Sequence, residues 1–427
     1  MTVWVFLLAL LGAMLIGMPI AYALLVAGIA LMIHMDLFDA QILAQNLING
    51  ADSFPLLAVP FFMLAGEIMN VGGLSRRIVN LALTLVGHVR GGLGYVTILA
   101  ACLMAALSGS AVADTAALAA LLLPMMVRAG HDKATSAGLI ASAGIIAPII
   151  PPSIPFVIFG VAANVSIGKL FMAGIVPGLL LAISIALAWR FVLRGETGRN
   201  EPPPKASRAE RWKAFTDATW ALLLPVIVLV GLKMGIFTPT EAAVVAAVYA
   251  LFVSMVIYRE IKWPALFDVF VNAAKTTAVI MFLVAAAMVS AWLITVADLP
   301  GMVVTLLEPL MDNQTLLLLA IMLLAFLVGT AMDLTPTILI LTPVLMPVVK
   351  AAGIDPVYFG VLFIINGAIG LITPPVGTVL NVVTGVGKIR LEYVVKGVLP
   401  FLCAQLFVLF LLVLFPQIVL VPLSWFY

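Results

Sequence analysis

Charge is what this 427-residue sequence has least of: Asp, Glu, Lys and Arg together make up 9% of it, against about 25% in soluble domains. That scarcity excludes an ordinary water-soluble globule. Its two cysteines, Cys102 and Cys403, both lie in apolar runs, which excludes a disulfide framework. The three histidines, His34, His88 and His131, sit at predicted ends of apolar segments, where an interfacial place is expected. None is spaced with Cys, Asp or Glu as a zinc site requires. No phosphate-cradling Gly-Lys-Ser/Thr loop occurs, so the chain is not expected to hydrolyse ATP, and a transport protein rather than an enzyme is expected. The net charge of +2 carries little information, and no nucleic-acid partner is expected.

What the sequence has is apolar length. It is 64% hydrophobic with mean hydropathy +1.27, and apolar runs of roughly 20 residues recur from end to end, the length a helix needs to cross the hydrocarbon. Only helices and closed barrels satisfy their backbone in lipid, and uninterrupted runs favour helices over the alternation of a barrel. Apolar segments fall at about 3–33, 55–70, 96–126, 134–163, 170–193, 216–235, 238–258, 277–296, 315–349, 357–385 and 397–424. The first is too long for a signal peptide and lacks a basic leader, so it reads as a retained span. The markedly polar stretch 194–215, with its Pro202-Pro203-Pro204 run and mixed charge, reads as a solvated linker between two halves.

The halves repeat. Residues 124–177 align without a gap on 347–400, with twelve of 54 positions identical. Pro124, Gly130, Asp132, Gly144, Pro151, Pro152, Gly174 and Pro177 match Pro347, Gly353, Asp355, Gly367, Pro374, Pro375, Gly397 and Pro400. Apolar bias alone yields chance matches at Leu or Ile, not glycines and prolines in register. Treating 96–126 and 315–349 as re-entrant hairpins, and the other nine segments as spans with a cytoplasmic N-terminus, puts all but Lys169, Lys233 and Lys350 of the 21 Lys and Arg inside. Treating the hairpins as ordinary spans destroys that bias, so the positive-inside rule supports them. The expected fold is an all-α polytopic membrane protein of two inverted repeats, each with a re-entrant helical hairpin and a broken span. The first repeat spans 1–193, a linker and connecting span 194–235, and the second repeat 236–427. In such plans the solute site lies near the midplane between repeats.

Helix breakers mark the chemistry. The first hairpin carries Ser108-Gly109-Ser110 and then Asp114; the second carries Gly329-Thr330 and then Asp333-Leu334-Thr335-Pro336-Thr337. The spans that follow carry Ala147-Pro148 with Pro151-Pro152-Ser153, and Asn366-Gly367 with Thr373-Pro374-Pro375 and Gly377. Proline removes a donor and clashes with the preceding turn, so paired prolines unwind a span. Unwound backbone at membrane depth survives only when buried or lining a wet cavity. Its carbonyls and hydroxyls supply oxygen ligands for a cation, and free amides at half-helix N-termini attract anions. Each tip is expected to face the broken span of its own repeat, giving two cation sites around one solute site. With no Lys or Arg at the breaks, an anionic solute would be held by helix N-termini, hydroxyls and bound cations. Bland readings stand beside these: Ser-Gly-Ser as a close-packing face, prolines as simple kinks, Asp114 and Asp333 as caps of the second hairpin arms. Glu67 and Glu241, near span ends, are expected to cap, snorkel or touch a partner. An intramembrane aspartyl protease, another class altogether, is disfavoured because both acids sit in hairpins with breakers around them. A passive channel lacks its filter or charge ring.

In combination, Phe61–Met69, Leu107–Asp114, Pro148–Ser153, Met332–Pro336 and Leu371–Gly377 resemble signatures of the large membrane subunit of TRAP (tripartite ATP-independent periplasmic) transporters, over essentially the whole chain. The resemblance implies sodium-driven secondary transport of a carboxylate-bearing solute, such as a dicarboxylate, sialic acid or another sugar acid, with the sialic-acid and sugar-acid branch nearest. It implies an elevator motion of hairpins and broken spans. The implied partners are a separate small four-helix membrane subunit, a periplasmic solute-binding protein and phospholipid. The implied location is the bacterial inner membrane, with the N-terminus cytoplasmic and the C-terminus periplasmic. It places sodium ligands, two or more ions, among Ser108, Gly109, Ser110, Asp114, Ala147, Pro148, Gly329, Thr330, Asp333, Thr337, Gly367, Thr373 and Gly377. It places solute contacts among Ser110, Pro152, Ser153, Asp333, Thr335, Asn366 and Thr373. The alternative from the residues is a stand-alone sodium-coupled anion carrier that needs no binding protein.

Overall fold

The computed structural model describes residues 2–195 and 204–426, 82% of the chain being helix and no strand occurring among the described residues. Two short helices come first, α1 (Thr2–Leu15) and α2 (Ile20–His34), packed on each other. The single first span expected over 3–33 is thereby corrected. Gly17 turns the chain at φ +85° and Pro19 has no amide to donate, so no helix runs through 16–19. Next come α3 (Ala40–Ala51), capped by Asp39, and α4 (Ala58–Val71), entered through a 3₁₀ turn. An amphipathic α5 (Leu74–Val86) follows. Helices α3 and α5 are polar enough on one face to escape a hydropathy reading.

The first hairpin is α6 (Gly92–Ser108) and α7 (Ala111–Arg128), broken at Gly109-Ser110. The following span is broken into α8 (Lys133–Gly144) and α9 (Ile154–Ala163), and α10 (Ile167–Gly195) is long and continuous. Residues 196–203 of the expected linker lie outside the described residues. The part from Arg208 onward is helical, not linker: a capping box of Ser207 and Glu210 starts α11 (Arg208–Lys233). Helix α12 (Pro239–Phe252) opens on a second capping box, Thr238 with Glu241, which gives Glu241 a capping role, and ends in a π turn over Val253–Ile257. Helix α13 (Trp263–Val296) begins well before the expected 277 and, at 34 residues, is about 51 Å long, longer than the roughly 30 Å hydrocarbon. The short α14 (Leu299–Leu307) leads to the second hairpin, α15 (Gln314–Ala331) and α16 (Leu334–Ala351). The second broken span is α17 (Pro356–Gly370) and α18 (Thr378–Gly387). Helix α19 (Leu391–Leu414) stops before Pro416, so the expected 397–424 segment divides and ends in α20 (Gln417–Ser424).

Among the described residues nine helices are long and apolar enough to cross a membrane, α7, α15 and α16 of the hairpins among them. The centre of the molecule is α8 and α17. Every residue from Ser136 to Gly144 and from Val357 to Gly370 is buried, as expected for helices with no polar face. Around them the packing is reciprocal: α7 lies on α8 as α16 lies on α17, and α8 on α19 as α10 on α17. The two repeats also exchange partners, α9 packing on α16 and α18 on α7. Glycine permits the closest crossing, where a Cβ on Gly138 would overlap the Gly397 carbonyl. His131 lies just beyond the end of α7, as expected for a span end, and is buried and packed on the Trp189 ring at 5.3 Å.

Candidate functional site

At the first tip, Gly109 ends α6 in a left-handed turn at φ +60°, a conformation that side chains disfavour. Ser110 then caps α7 by accepting the Ala113 amide. Asp114 lies one turn inside α7, 1% exposed, and its Oδ1 accepts the Ser108 hydroxyl at 2.5 Å. Its other carboxylate oxygen is buried with no hydrogen-bond partner, as is the Thr115 hydroxyl beside it. Isolated charge in a low-dielectric interior is costly unless paired, and among the described residues the Ser108 hydroxyl is the side-chain partner of this carboxylate. Asp114 is not a cap, since Ser110 holds that position.

The break between α8 and α9 meets this tip. A Cβ on Gly109 would lie 2.6 Å from the Pro152 carbonyl and 3.2 Å from the Ser153 Cα, so only glycine fits there. Ala147, Pro148, Pro152 and Ser153 are all buried, and Pro151-Pro152 is cis. The Ser153 hydroxyl donates to the Pro148 carbonyl at 2.5 Å and accepts the Phe156 amide at 3.3 Å, closing the loop and capping α9.

At the second tip, Met332 is extended and Asp333 precedes α16 without a capping hydrogen bond from its side chain. Its Oδ1 instead accepts the Thr378 hydroxyl of α18 at 3.2 Å. The Val376 amide donates to the Thr330 carbonyl at 3.1 Å, joining tip to break. Gly329 lies against Gly367 and Gly370, where a Cβ on Gly370 would stand 2.7 Å from the Gly329 carbonyl. Thr337 donates to the Asp333 carbonyl at 2.8 Å and Thr373 to the Ile369 carbonyl at 2.9 Å. Asn366 donates to the Met322 carbonyl at 2.6 Å, while its own carbonyl is buried without a partner. Thr335 is half-buried in the first turn of α16, and Gly377 opens α18 at φ +45°.

Each tip therefore does meet the break of its own half. The two acids are not equivalent by register. Extending the 124–177 register places Ser110 on Asp333 and Asp114 on Thr337, and both hairpin second arms have 18 residues. The acid sits one helical turn inside the first hairpin but at the tip of the second. Sequence reasoning missed Thr115 and Thr378. Thr115 had one signal: it packs on Gly144, where a Cβ would overlap its hydroxyl, and Gly144 is a repeat-matched glycine. Thr378 had none, because its role depends on how α18 approaches α16.

A family model described as the DctM component of tripartite ATP-independent periplasmic transporters matches residues 7–418. The chain is 59% identical over 427 residues, the whole of both chains, to the 2,3-diketo-L-gulonate TRAP transporter large permease protein of Escherichia coli K12. It is 41% identical over 410 residues, 96% of each chain, to the sialic acid TRAP transporter large permease protein of Vibrio cholerae. Among solved structures, the Alcanivorax borkumensis YdaH transporter aligns over 89% of this chain and 90% of its own, with TM-score 0.64 and 18% identity, a likeness of fold.

Proposed function

The chain belongs to the DctM component family of tripartite ATP-independent periplasmic transporters, and on that premise we propose that it imports a sugar acid by sodium-driven secondary transport. Membership makes it the large permease subunit of a multi-span membrane transporter served by a substrate-binding protein. The finer reading rests on one observation above the others: both hairpin tips meet an unwound, proline-broken helix, and one of them holds a buried carboxylate oxygen without a partner. Hard cations take oxygen ligands. Asp114, Ser108, the Thr115 hydroxyl and carbonyls of the Ala147–Ser153 break are the donors we assign to the first ion. Asp333, Thr330, Thr337, Thr373 and carbonyls near Gly329, Gly367 and Gly377 are those of the second.

The solute carboxylate sits between the two, at Ser110, Pro152, Ser153, Asp333, Thr335, Asn366 and Thr373, neutralised by the ions and by the N-termini of α9 and α18. The relatives favour a hexose-derived sugar acid over sialic acid, the diketo-gulonate permease being 59% identical against 41%. Hairpins and broken helices move as one body against the remaining helices, in the inverted-repeat plan with the bounds 1–193 and 236–427. The partners are a separate small membrane subunit and the periplasmic binding protein. The location is the inner membrane, with the N-terminus in the cytoplasm and the C-terminus in the periplasm.

The test is uptake into proteoliposomes holding this chain and its small subunit, with the binding protein loaded with radiolabelled 2,3-diketo-L-gulonate under an inward sodium gradient. Uptake that needs both sodium and the binding protein supports the reading. Uptake without the binding protein points to the stand-alone carrier, and uptake indifferent to sodium removes the two ion sites.

A further inference from the structure

A second charged place lies away from the hairpin tips. A cavity of about 380 Å³ opens where the turn before α6 meets the end of α10, lined by Val89, Arg90, Tyr95, Arg190, Leu193 and Arg194. Three guanidinium groups line this one hollow, and among the described residues no carboxylate lines it. Among the described residues none of the three forms an ion pair; the ion pairs there run from Arg76 and Arg77 to Glu260. The hollow is fixed by packing. A Cβ on Gly91 would overlap the Leu193 side chain, and the Trp189 indole donates to the Gly91 carbonyl at 2.9 Å. Three exposed guanidinium groups around one hollow, with no ion pair among the described residues, repel one another, and an anion with several oxygens relieves that repulsion. Guanidinium forks bind phosphate oxygens in pairs.

The place of the cavity says which phosphate. Arg194 ends a 28-residue apolar span, so the hollow lies at membrane-surface depth, on the side the positive-inside rule makes cytoplasmic. The Arg194 guanidinium lies 5.0 Å from the centre of the Phe191 ring, and Phe191 lines an apolar groove with Leu187, Ala188, Pro400, Ala404 and Phe407. A headgroup site thus adjoins an acyl-chain groove. We infer that Arg90, Arg190 and Arg194 bind the phosphate headgroup of an anionic phospholipid, with a chain of the same lipid in the Phe191–Phe407 groove. Basic pockets between membrane helices hold such headgroups elsewhere. The site lies on the outer ends of α6 and α10, apart from the proposed ion ligands, so its failure leaves the transport reading untouched.

Native mass spectrometry of the full chain, delipidated and then titrated with phosphatidylglycerol, cardiolipin or phosphatidylcholine, tests this. One anionic lipid should be retained at least tenfold more tightly than phosphatidylcholine. R90Q/R190Q/R194Q should lose that preference, while K388Q/R390Q/K396Q, an equal loss of charge elsewhere, should keep it. The comparison of lipids on the unaltered chain stands even where the triple variant does not fold: a preference below threefold overturns the proposal. So does displacement of the lipid by millimolar inorganic phosphate, the mark of a free-anion site. Equal retention by the triple variant also overturns it.

Discussion

The two hairpin tips share a backbone plan but divide their chemistry differently. In the first, a left-handed glycine makes the turn, a serine caps the second arm, and the carboxylate of Asp114 is enclosed one turn deeper, against Ser108. In the second, Asp333 occupies the serine's position and Thr337 that of the acid. The breaks differ in the same sense. Residues Ile145 to Ser153 are wholly buried, whereas Pro374, Pro375 and Val376 are exposed, Val376 to 39%. A duplicated scaffold has kept its turns and prolines while moving its charge from the inside of one hairpin to the open edge of the other. The first tip and its break are thus enclosed by the protein, while the second break is open at its surface.

The largest expected effect breaks that comparison at the two acids. Asp114→Asn should weaken sodium-dependent uptake by about 100-fold or more, in line with the roughly 3 kcal/mol lost when one partner of a buried charge pair is removed. Asp333→Asn, at a half-exposed carboxylate, should cost only about tenfold, that of one charge-assisted hydrogen bond. Sodium titrations of uptake for the two variants measure both, and equal losses would dissolve the distinction between the tips.

Glycine gives the next contrast. Gly109→Ala must hold φ +60° with a Cβ 2.6 Å from backbone, while the nearest atom to a Cβ on Gly329 lies at 3.8 Å. The first should destabilise the protein by about 2–4 kcal/mol, from left-handed strain plus overpacking, and the second by less than about 1 kcal/mol. Thermal unfolding in detergent should separate them clearly. Reversal of that order would contradict the close packing of the first tip on Pro152.

Accessibility sharpens the comparison further. In a background with Cys102 and Cys403 replaced by alanine, Val376→Cys should react with a membrane-impermeant maleimide at least about tenfold faster than Ser153→Cys, since only exposed thiolate reacts. The smallest effect concerns Ser153 itself: Ser153→Ala removes an N-cap and the bond to Pro148, and should cost about 1 kcal/mol of stability. A denaturant series showing no change would mean that the first break does not depend on its serine for closure.

Much of this was legible in the chain. Of the matched residues, the paired prolines Pro151-Pro152 and Pro374-Pro375 mark where helices stop, since consecutive prolines lack donors, whereas the single prolines Pro124, Pro177, Pro347 and Pro400 lie within helices. Both broken helices are interrupted at the paired prolines, whereas the hairpin breaks, at Gly109-Ser110 and Met332-Asp333, lie outside the matched stretch. The division at Gly17–Pro19 carried the same kind of signal but was hidden inside an apolar run, where hydropathy counts length and ignores breakers. Helices α3 and α5 were hidden for the opposite reason, their polar faces lowering the average. In the site, Asp114 stood out because a carboxylate in an apolar hairpin is costly. Its contact with Ser108 and its lack of equivalence with Asp333 depended on register, which the acids alone do not reveal.

Composition and breaker positions, then, determined that the chain is helical, membrane-spanning, duplicated and interrupted at four places, since these follow from the transfer cost of backbone and charge into hydrocarbon, a cost each residue carries wherever it folds. The tertiary structure alone decided that α9 crosses to α16 and α18 to α7, that Asp333 takes its partner from Thr378, and that three arginines share one hollow. Those are contacts between residues distant in sequence, and their geometry is set by how closely helices can approach.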